Sequence, residues 1–182
     1  MPYFYRKIIP IMLTKTDLLE LISVKGLDFQ TYNHQPLFTV EDSESLRGKI
    51  KGAHTKNLFL KNKKNEFFLF SCDENARVDL KKFSKSIGAK NLSFANEKYL
   101  EKYLGIKPGS VSPYALLNDD GNVVTFYLDE KLARSEIINF HPLINDTTIS
   151  VKTSDFIDFI IENKKKINIF SLESYSIVKK YE

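Results

Sequence analysis

The sequence predicts one domain of mixed α/β architecture. A chain of 182 residues is about one domain's worth, long enough to bury a sizeable core. Hydrophobic residues at 42% and charged residues at 27% match a chain that folds around such a core. Short β-like runs, several of them joined by hairpin-type turns, alternate with segments whose apolar residues recur at helical spacing.

In order along the chain, Thr14-Lys15-Thr16-Asp17 carries an [ST]-x-x-[DE] capping signature. It opens an apolar pattern at Leu18, Leu19, Leu21 and Ile22 that Gly26 closes, a capped amphipathic helix. Residues 27–32 read as a short strand. His34-Gln35-Pro36-Leu37 reads as a turn, since proline biases Gln35 away from helix. Residues 39–49 are polar and predict a short surface helix ending at Gly48. Residues 55–60 and 66–72, separated by Lys61-Asn62-Lys63-Lys64-Asn65, read as a β-hairpin. Leu80, Phe83 and Ile87 predict a second helix, residues 92–95 a strand, and Asn96 a cap for a helix through Leu104.

Tyr114-Ala115-Leu116-Leu117 then reads as a buried strand. Asn118-Asp119-Asp120-Gly121 reads as a hairpin turn, its glycine supplying a positive φ, and residues 123–128 as the returning strand. Residues 137–140 and 147–151 are further strands. Ser154 is the expected cap of a last helix bearing Phe156, Phe159 and Ile160. Residues 164–182 are lysine-rich, weakly patterned and expected to be peripheral. Residues 1–12 are expected to be an N-terminal extension outside the core: Pro2 and Pro10 interrupt the apolar run, and no small-residue cleavage site follows it.

The formal net charge of +4 permits a phosphate-bearing partner without demanding one. A single cysteine, Cys72, excludes an intramolecular disulfide and suits a reducing compartment. It sits in the apolar run Phe67-Phe68-Leu69-Phe70-Ser71-Cys72, so it reads as structural and not as a thiol catalyst. No stretch has the apolar length of a membrane span.

Several chemistries are excluded by pattern. The phosphate loop G-x-x-x-x-G-K-[ST], the dinucleotide fingerprint, H-E-x-x-H and paired C-x-x-C are all missing from the sequence. Gly109-Ser110-Val111-Ser112-Pro113 lacks the second glycine of a nucleophile elbow. Three segments still concentrate polar features outside a core pattern. Gly52-Ala53-His54-Thr55-Lys56-Asn57 places a cation and an amide at a strand entrance. Lys56 there is either a solvated strand end or a lysine set to meet a phosphate or oxyanion. Gly105-Ile106-Lys107-Pro108-Gly109-Ser110-Val111-Ser112-Pro113 is either a tight turn or a loop aiming backbone N–H groups at one point. Asn139-Phe140-His141-Pro142-Leu143-Ile144-Asn145 holds a histidine whose backbone the next proline restricts.

Taken together and in this order, these segments resemble the YbaK/ProX family of aminoacyl-tRNA deacylases, and within it the free-standing ProX type that edits alanine misattached to proline tRNA. Pro36-Leu37-Phe38-Thr39-Val40, Arg77-Val78-Asp79-Leu80 and Leu92-Ser93-Phe94-Ala95 fall where that family carries similar segments. The resemblance spans residues 13–163, which would form the editing domain. It implies an α+β fold with a central, mostly antiparallel sheet and flanking helices. It also implies a hydrolase for the ester of mischarged tRNA, with no cofactor, no metal and a cytoplasmic location.

The same resemblance assigns Lys56, Gly109, Ser110, Val111 and Ser112 to catalysis, and Asn57, His141 and Pro113 to substrate binding. Separately, apolar residues near Leu37, Phe38 and Val40 are the expected wall of a pocket that admits alanine and excludes proline. An aminoacyl ester beside a protonated amine is already activated, so such an enzyme needs to position water and stabilise an oxyanion; no nucleophilic side chain is required. Alternatives of other classes are a deacylase for serine or cysteine, a non-catalytic tRNA-binding module, and an interaction domain. The last would dock on prolyl-tRNA synthetase or an elongation factor through the lysine-rich C-terminus.

Overall fold

The computed structural model describes residues 12–36 and 49–182. The anticipated helix at residues 39–49 and the selectivity wall of Leu37, Phe38 and Val40 fall almost wholly outside the described residues.

Helix α1 (Lys15–Val24) starts at Thr14, whose side chain accepts from the Asp17 amide while the Asp17 carboxylate accepts from the Thr14 amide. The predicted capping box is thus formed, and Leu18 and Ile22 deliver the buried face. Strand β1 (Phe29–Asn33) follows. The hairpin of β2 (Thr55–Lys61) and β3 (Phe67–Asp73) is as predicted. Its turn is organised by Asn62, whose Oδ1 accepts from the amides of Lys64 (2.9 Å) and Glu66 (3.0 Å).

Helix α2 (Leu80–Ser86) is capped by Asp79, and the two-residue β4 (Ser93–Phe94) pairs with the end of β2. Asn96 occupies the N-cap of α3 (Glu97–Leu104) but makes no side-chain cap bond. A 3-10 helix (Pro113–Asn118) leads to β5 (Val124–Asp129) and the single turn α4 (Glu130–Ala133). Then come β6 (Ile137–Phe140), β7 (Thr147–Lys152), α5 (Thr153–Glu162), β8 (Ile167–Ser171) and β9 (Ser176–Tyr181).

The strands form two sheets, one ordered β1-β7-β6 and one ordered β4-β2-β3-β5-β8-β9. Most pairings are antiparallel, as the resemblance implied, but β3, β5 and β8 lie parallel at the centre of the larger sheet. That placement explains the uninterrupted phenylalanine run of β3. Phe67 and Leu69 face the main core, while Phe68, Phe70 and Cys72 face a second aromatic cluster, so both faces of the strand are buried. Burial pushes the Cys72 thiol up to about 12, with the Lys56 charge opposing. Cys72 is therefore a packing residue, as its setting predicts.

The two sheets meet where residues 50–54 cross between them. Ala53 forms a parallel bridge to Ile138, donating to the Ile137 carbonyl (2.8 Å) and accepting from the Asn139 amide (3.1 Å). Gly52 makes this possible: its φ is +98°, and an added Cβ would lie 2.8 Å from the Ile137 carbonyl oxygen.

Four expectations are corrected. Residues 114–117 are helical: Pro113 sits at the first helical position, and the Ser112 hydroxyl accepts from the Tyr114 amide. Residues 118–121 therefore join this helix to β5, and no hairpin forms there. The left-handed residue is Asn122 (φ 49°), and Asp119 Oδ2 holds the Val124 amide at 2.7 Å. The N-cap of α5 is Lys152, not Ser154. Finally, residues 164–182 are not peripheral. Strand β8 pairs with β5, β9 pairs with β8, and Ile167, Ile169 and Phe170 are core residues.

Candidate functional site

The crossing segment brings the start of β2 beside the end of β6. Thr55 Oγ1 donates to the Asn139 carbonyl (2.8 Å), and Asn139 Nδ2 donates to the Lys51 carbonyl (3.0 Å). The Ser150 hydroxyl also donates to Asn139 Oδ1. Asn139 is thus a buried amide with both ends committed, and it holds the strand that delivers His141.

Asn57 ties β2 to the glycine-proline loop. Its Nδ2 donates to the Val111 carbonyl at 2.9 Å, and its Oδ1 accepts from the Ser71 hydroxyl at 2.5 Å. The Ser71 bond fixes which end of the amide faces the loop. Within the loop Gly109 is left-handed (φ 84°), and Ser110 and Ser112 are buried. The Ser110 amide is spent on the Lys107 carbonyl at 3.1 Å. The amides of Gly109, Val111 and Ser112 have no acceptor among the described residues. Pro113 begins the 3-10 helix that anchors the loop in the core.

His141 lies just past β6. Its Nδ1 stands 2.8 Å from the Thr147 carbonyl, which requires the proton on Nδ1 and leaves Nε2 as the acceptor of the neutral ring. Burial, the largest influence, lowers its pKa from the ordinary histidine value, so the neutral form prevails near pH 7. Leu143, left-handed at φ 66°, tightens the turn that brings this ring back to Thr147.

The sequence marks His34 only as part of a turn, yet its ring lies 5.9 Å from that of His141. Its Nε2 meets Thr148 Oγ1 at 2.9 Å, one residue along β7 from the carbonyl that His141 uses. Pairing of β1 with β7 creates this proximity across more than a hundred residues, and no local pattern announces it. Ser71 is likewise unmarked by local pattern, its signal in the sequence being a hydroxyl inside a phenylalanine-rich run.

Lys56 goes elsewhere. Side chains alternate along a strand, so Lys56 and Asn57 occupy opposite faces of β2. The Lys56 ammonium donates to the Ala76 carbonyl. Ala76 lines a cleft of about 620 Å³ with Asp73, Arg77, Asp129, Lys131 and Arg134. The structure thus joins Asn57 to the loop at residues 109–113 through Val111, joins the start of β2 to β6 through Thr55 and Asn139, and sets Lys56 on the opposite face at the rim of a second cleft. Among the described residues no group of three or more His, Cys, Asp or Glu side chains is placed to hold a metal ion, and no helix is long and apolar enough to cross a membrane.

Comparison with known proteins bears on this geometry. A family model for an aminoacyl-tRNA editing domain matches residues 34–159. The prolyl-tRNA editing protein ProX of Acetoanaerobium sticklandii is 32% identical over 71% of this chain and 79% of its own. The prolyl-tRNA synthetase associated domain-containing protein 1 of Danio rerio is 32% identical over 90% of each chain, and that of Bos taurus is 35% identical over 79% of this chain and 86% of its own. In fold, the chain is similar to the crystal structure of a proposed trans-editing enzyme for prolyl-tRNA synthetase. The TM-score is 0.62 at 16% identity, over 87% of this chain and 98% of that one.

Proposed function

We propose, from the premise that this chain belongs to the aminoacyl-tRNA editing domain family, that it is a trans-editing deacylase whose substrate is a small amino acid, alanine foremost, esterified to proline tRNA. The observation that carries the chemistry is the clip from Asn57 to the Val111 carbonyl. It holds a glycine-bearing loop in which three backbone amides lack an acceptor among the described residues.

Donors held in place in this way suit a carbonyl that becomes an oxyanion as water attacks. The amides of Gly109, Val111 and Ser112 would take that oxygen, while Ser110 keeps the turn closed. The neutral Nε2 of His141 would accept a hydrogen bond from the acceptor ribose or from the attacking water. The vicinal ribose hydroxyl is the nearest substrate group able to assist that water.

Lys56 is assigned the phosphate or ribose of the terminal adenosine. It is the second residue of β2, so its flexible stem can leave the Ala76 carbonyl and reach round the strand end. Alanine over proline is a size choice that a first binding site cannot make fully, because small apolar differences are worth about 1–3 kcal/mol. Leu37, Phe38 and Val40 remain the proposed wall.

A panel of proline tRNA charged with Ala, Ser, Cys or Pro tests the proposal. The expected result is rapid release of alanine, slow or no release of proline, and at least a hundredfold loss with Lys56→Ala at unchanged thermal stability. Release from none of the four would end the deacylase reading; full activity in Lys56→Ala would end the role given to that lysine.

A further inference from the structure

The β2–β3 turn, helix α3 and the segment just beyond it carry six lysines: Lys61, half-buried, and Lys63, Lys64, Lys98, Lys102 and Lys107, all exposed. Three glutamates, Glu66, Glu97 and Glu101, lie in the same segments, so this small part of the molecule carries most of the formal net charge of +4. Turn and helix are one unit. Lys61 Nζ lies 5.1 Å from the centre of the Tyr99 ring, Lys102 Nζ lies 4.7 Å from that of Tyr103, and both rings pack against Phe67 at the turn.

Two features separate this surface from an ordinary solvated face. On α3 the charges are sorted: Lys98 and Lys102 stand one helical turn apart, as do Glu97 and Glu101. Like charges at that spacing disfavour a helix, a cost that the Lys98–Glu101 spacing of three and the placement of Glu97 in the first turn and Lys102 in the last offset only in part. Second, the ion pairs among the described residues engage none of the six lysines. Their ammonium groups rest on aromatic rings and neutral oxygens, or face water.

The surface is also continuous with the candidate site. Helix α3 ends at Leu104, and the chain passes through Lys107, whose carbonyl receives the Ser110 amide, directly into the loop. The turn lies four residues along β2 from Asn57, roughly 13 Å at the rise of a strand. An RNA strand whose 3′ end sits at the loop therefore passes Lys107 first and meets the lysines of the turn only beyond its terminal nucleotide.

We infer that this surface binds the sugar-phosphate backbone of the tRNA acceptor arm, through charge and without reading sequence. The inference rests on the deacylase reading for its substrate. It separates the binding of tRNA from the chemistry at the ester, and it locates the RNA contact away from the lysine-rich C-terminus.

The test compares two fourfold charge reversals: Lys63→Glu, Lys64→Glu, Lys98→Glu and Lys102→Glu on this surface, and Lys164→Glu, Lys166→Glu, Lys179→Glu and Lys180→Glu at the opposite edge of the same sheet. Each is assayed on alanyl-tRNA, on 3′-O-alanyl adenosine, and for binding of uncharged tRNA across a salt series. For the first variant the expected results are a KM for alanyl-tRNA raised at least tenfold, kcat within twofold, and unchanged hydrolysis of the adenosine ester. The slope of log K against log salt should shrink by about 3, near 0.7–0.9 per lost phosphate contact. The second variant should stay within twofold throughout. Equal effects of the two variants, or no effect of the first, overturn the inference. If the unaltered protein deacylates neither substrate, the deacylase reading falls, and uncharged-tRNA binding by the two variants still decides the surface.

Discussion

Burial of the His141 imidazole disfavours its charged form, the Thr147 carbonyl on Nδ1 favours it, and the His34 ring beside it disfavours it again, with burial the largest of these. The folded pKa therefore lies below the ordinary value of 6.5. Below that pH the unfolded chain binds this proton more readily than the folded one, so folding stability contributed by His141 falls as pH falls from about 6.5 and levels off beneath the folded pKa. Melting temperatures at pH 7.5 and 5.5 should differ less in His141→Gln than in the unaltered protein. An acid limb of kcat/KM that begins above pH 6.5 would contradict the neutral His141 assigned to the site. The amide of Asn57 illustrates the same economy of placement: Ser71 orients it and Val111 receives it, so a single uncharged side chain holds the glycine-proline loop against β2.

The elements depend on a few junctions more than on propensity. At Gly52 the crossing segment approaches β6 so closely that an added Cβ would meet Ile137 Cγ2 at 2.6 Å and its carbonyl oxygen at 2.8 Å. Gly88 is also left-handed, at φ +71°, but has nothing within 4 Å of such a Cβ. Gly88→Ala should cost about 1 kcal/mol, the conformational share alone. Gly52→Ala should cost about 3 kcal/mol, because steric displacement adds to it, lowering Tm by roughly 6–12 °C in a chain of this size. Thermal denaturation of the two variants side by side separates the contributions. Equal losses would show that the sheet junction yields without resistance. The same junction carries Thr55 to the Asn139 carbonyl, so Gly52→Ala should also reduce activity out of proportion to its stability loss.

Across the whole molecule, the C-terminal strands decide whether there is a fold at all. Phe170 packs with Phe70, Phe83 and Tyr127 in the second core cluster, and Ile167 and Ile169 complete the main one. Three such side chains are worth about 1.5–3 kcal/mol each, a sum comparable with the whole stability of a domain. A chain ending at Asn163 should therefore fail to give a cooperative melt and should aggregate, β5 being left as a bare edge. A soluble, cooperatively melting product of that length would show that β8 and β9 are dispensable.

What was legible in the sequence was local or serial. The Thr14 cap, the β2–β3 hairpin and the strands at residues 137–140 and 147–151 follow from patterns within a dozen residues. The family could be recognised because its segments are separate and ordered along the chain. What only the tertiary structure decided was pairing across distance. Lys164-Lys165-Lys166 made residues 164–182 look like a solvated tail, yet Lys165 folds inward to the Asp119 carbonyl and Asn122 Oδ1, and the strand beyond it completes the sheet. Residues 114–117 are a short apolar run, which a buried strand and a buried helix share. Lys56 and Asn57 are neighbours in sequence, but the alternation of a strand sends them to opposite faces, and only the elements packed on each face say which one meets the loop. Local patterns bound each element. The partners of an element, and hence the composition of a site, depend on contacts that the free energy of the whole chain selects.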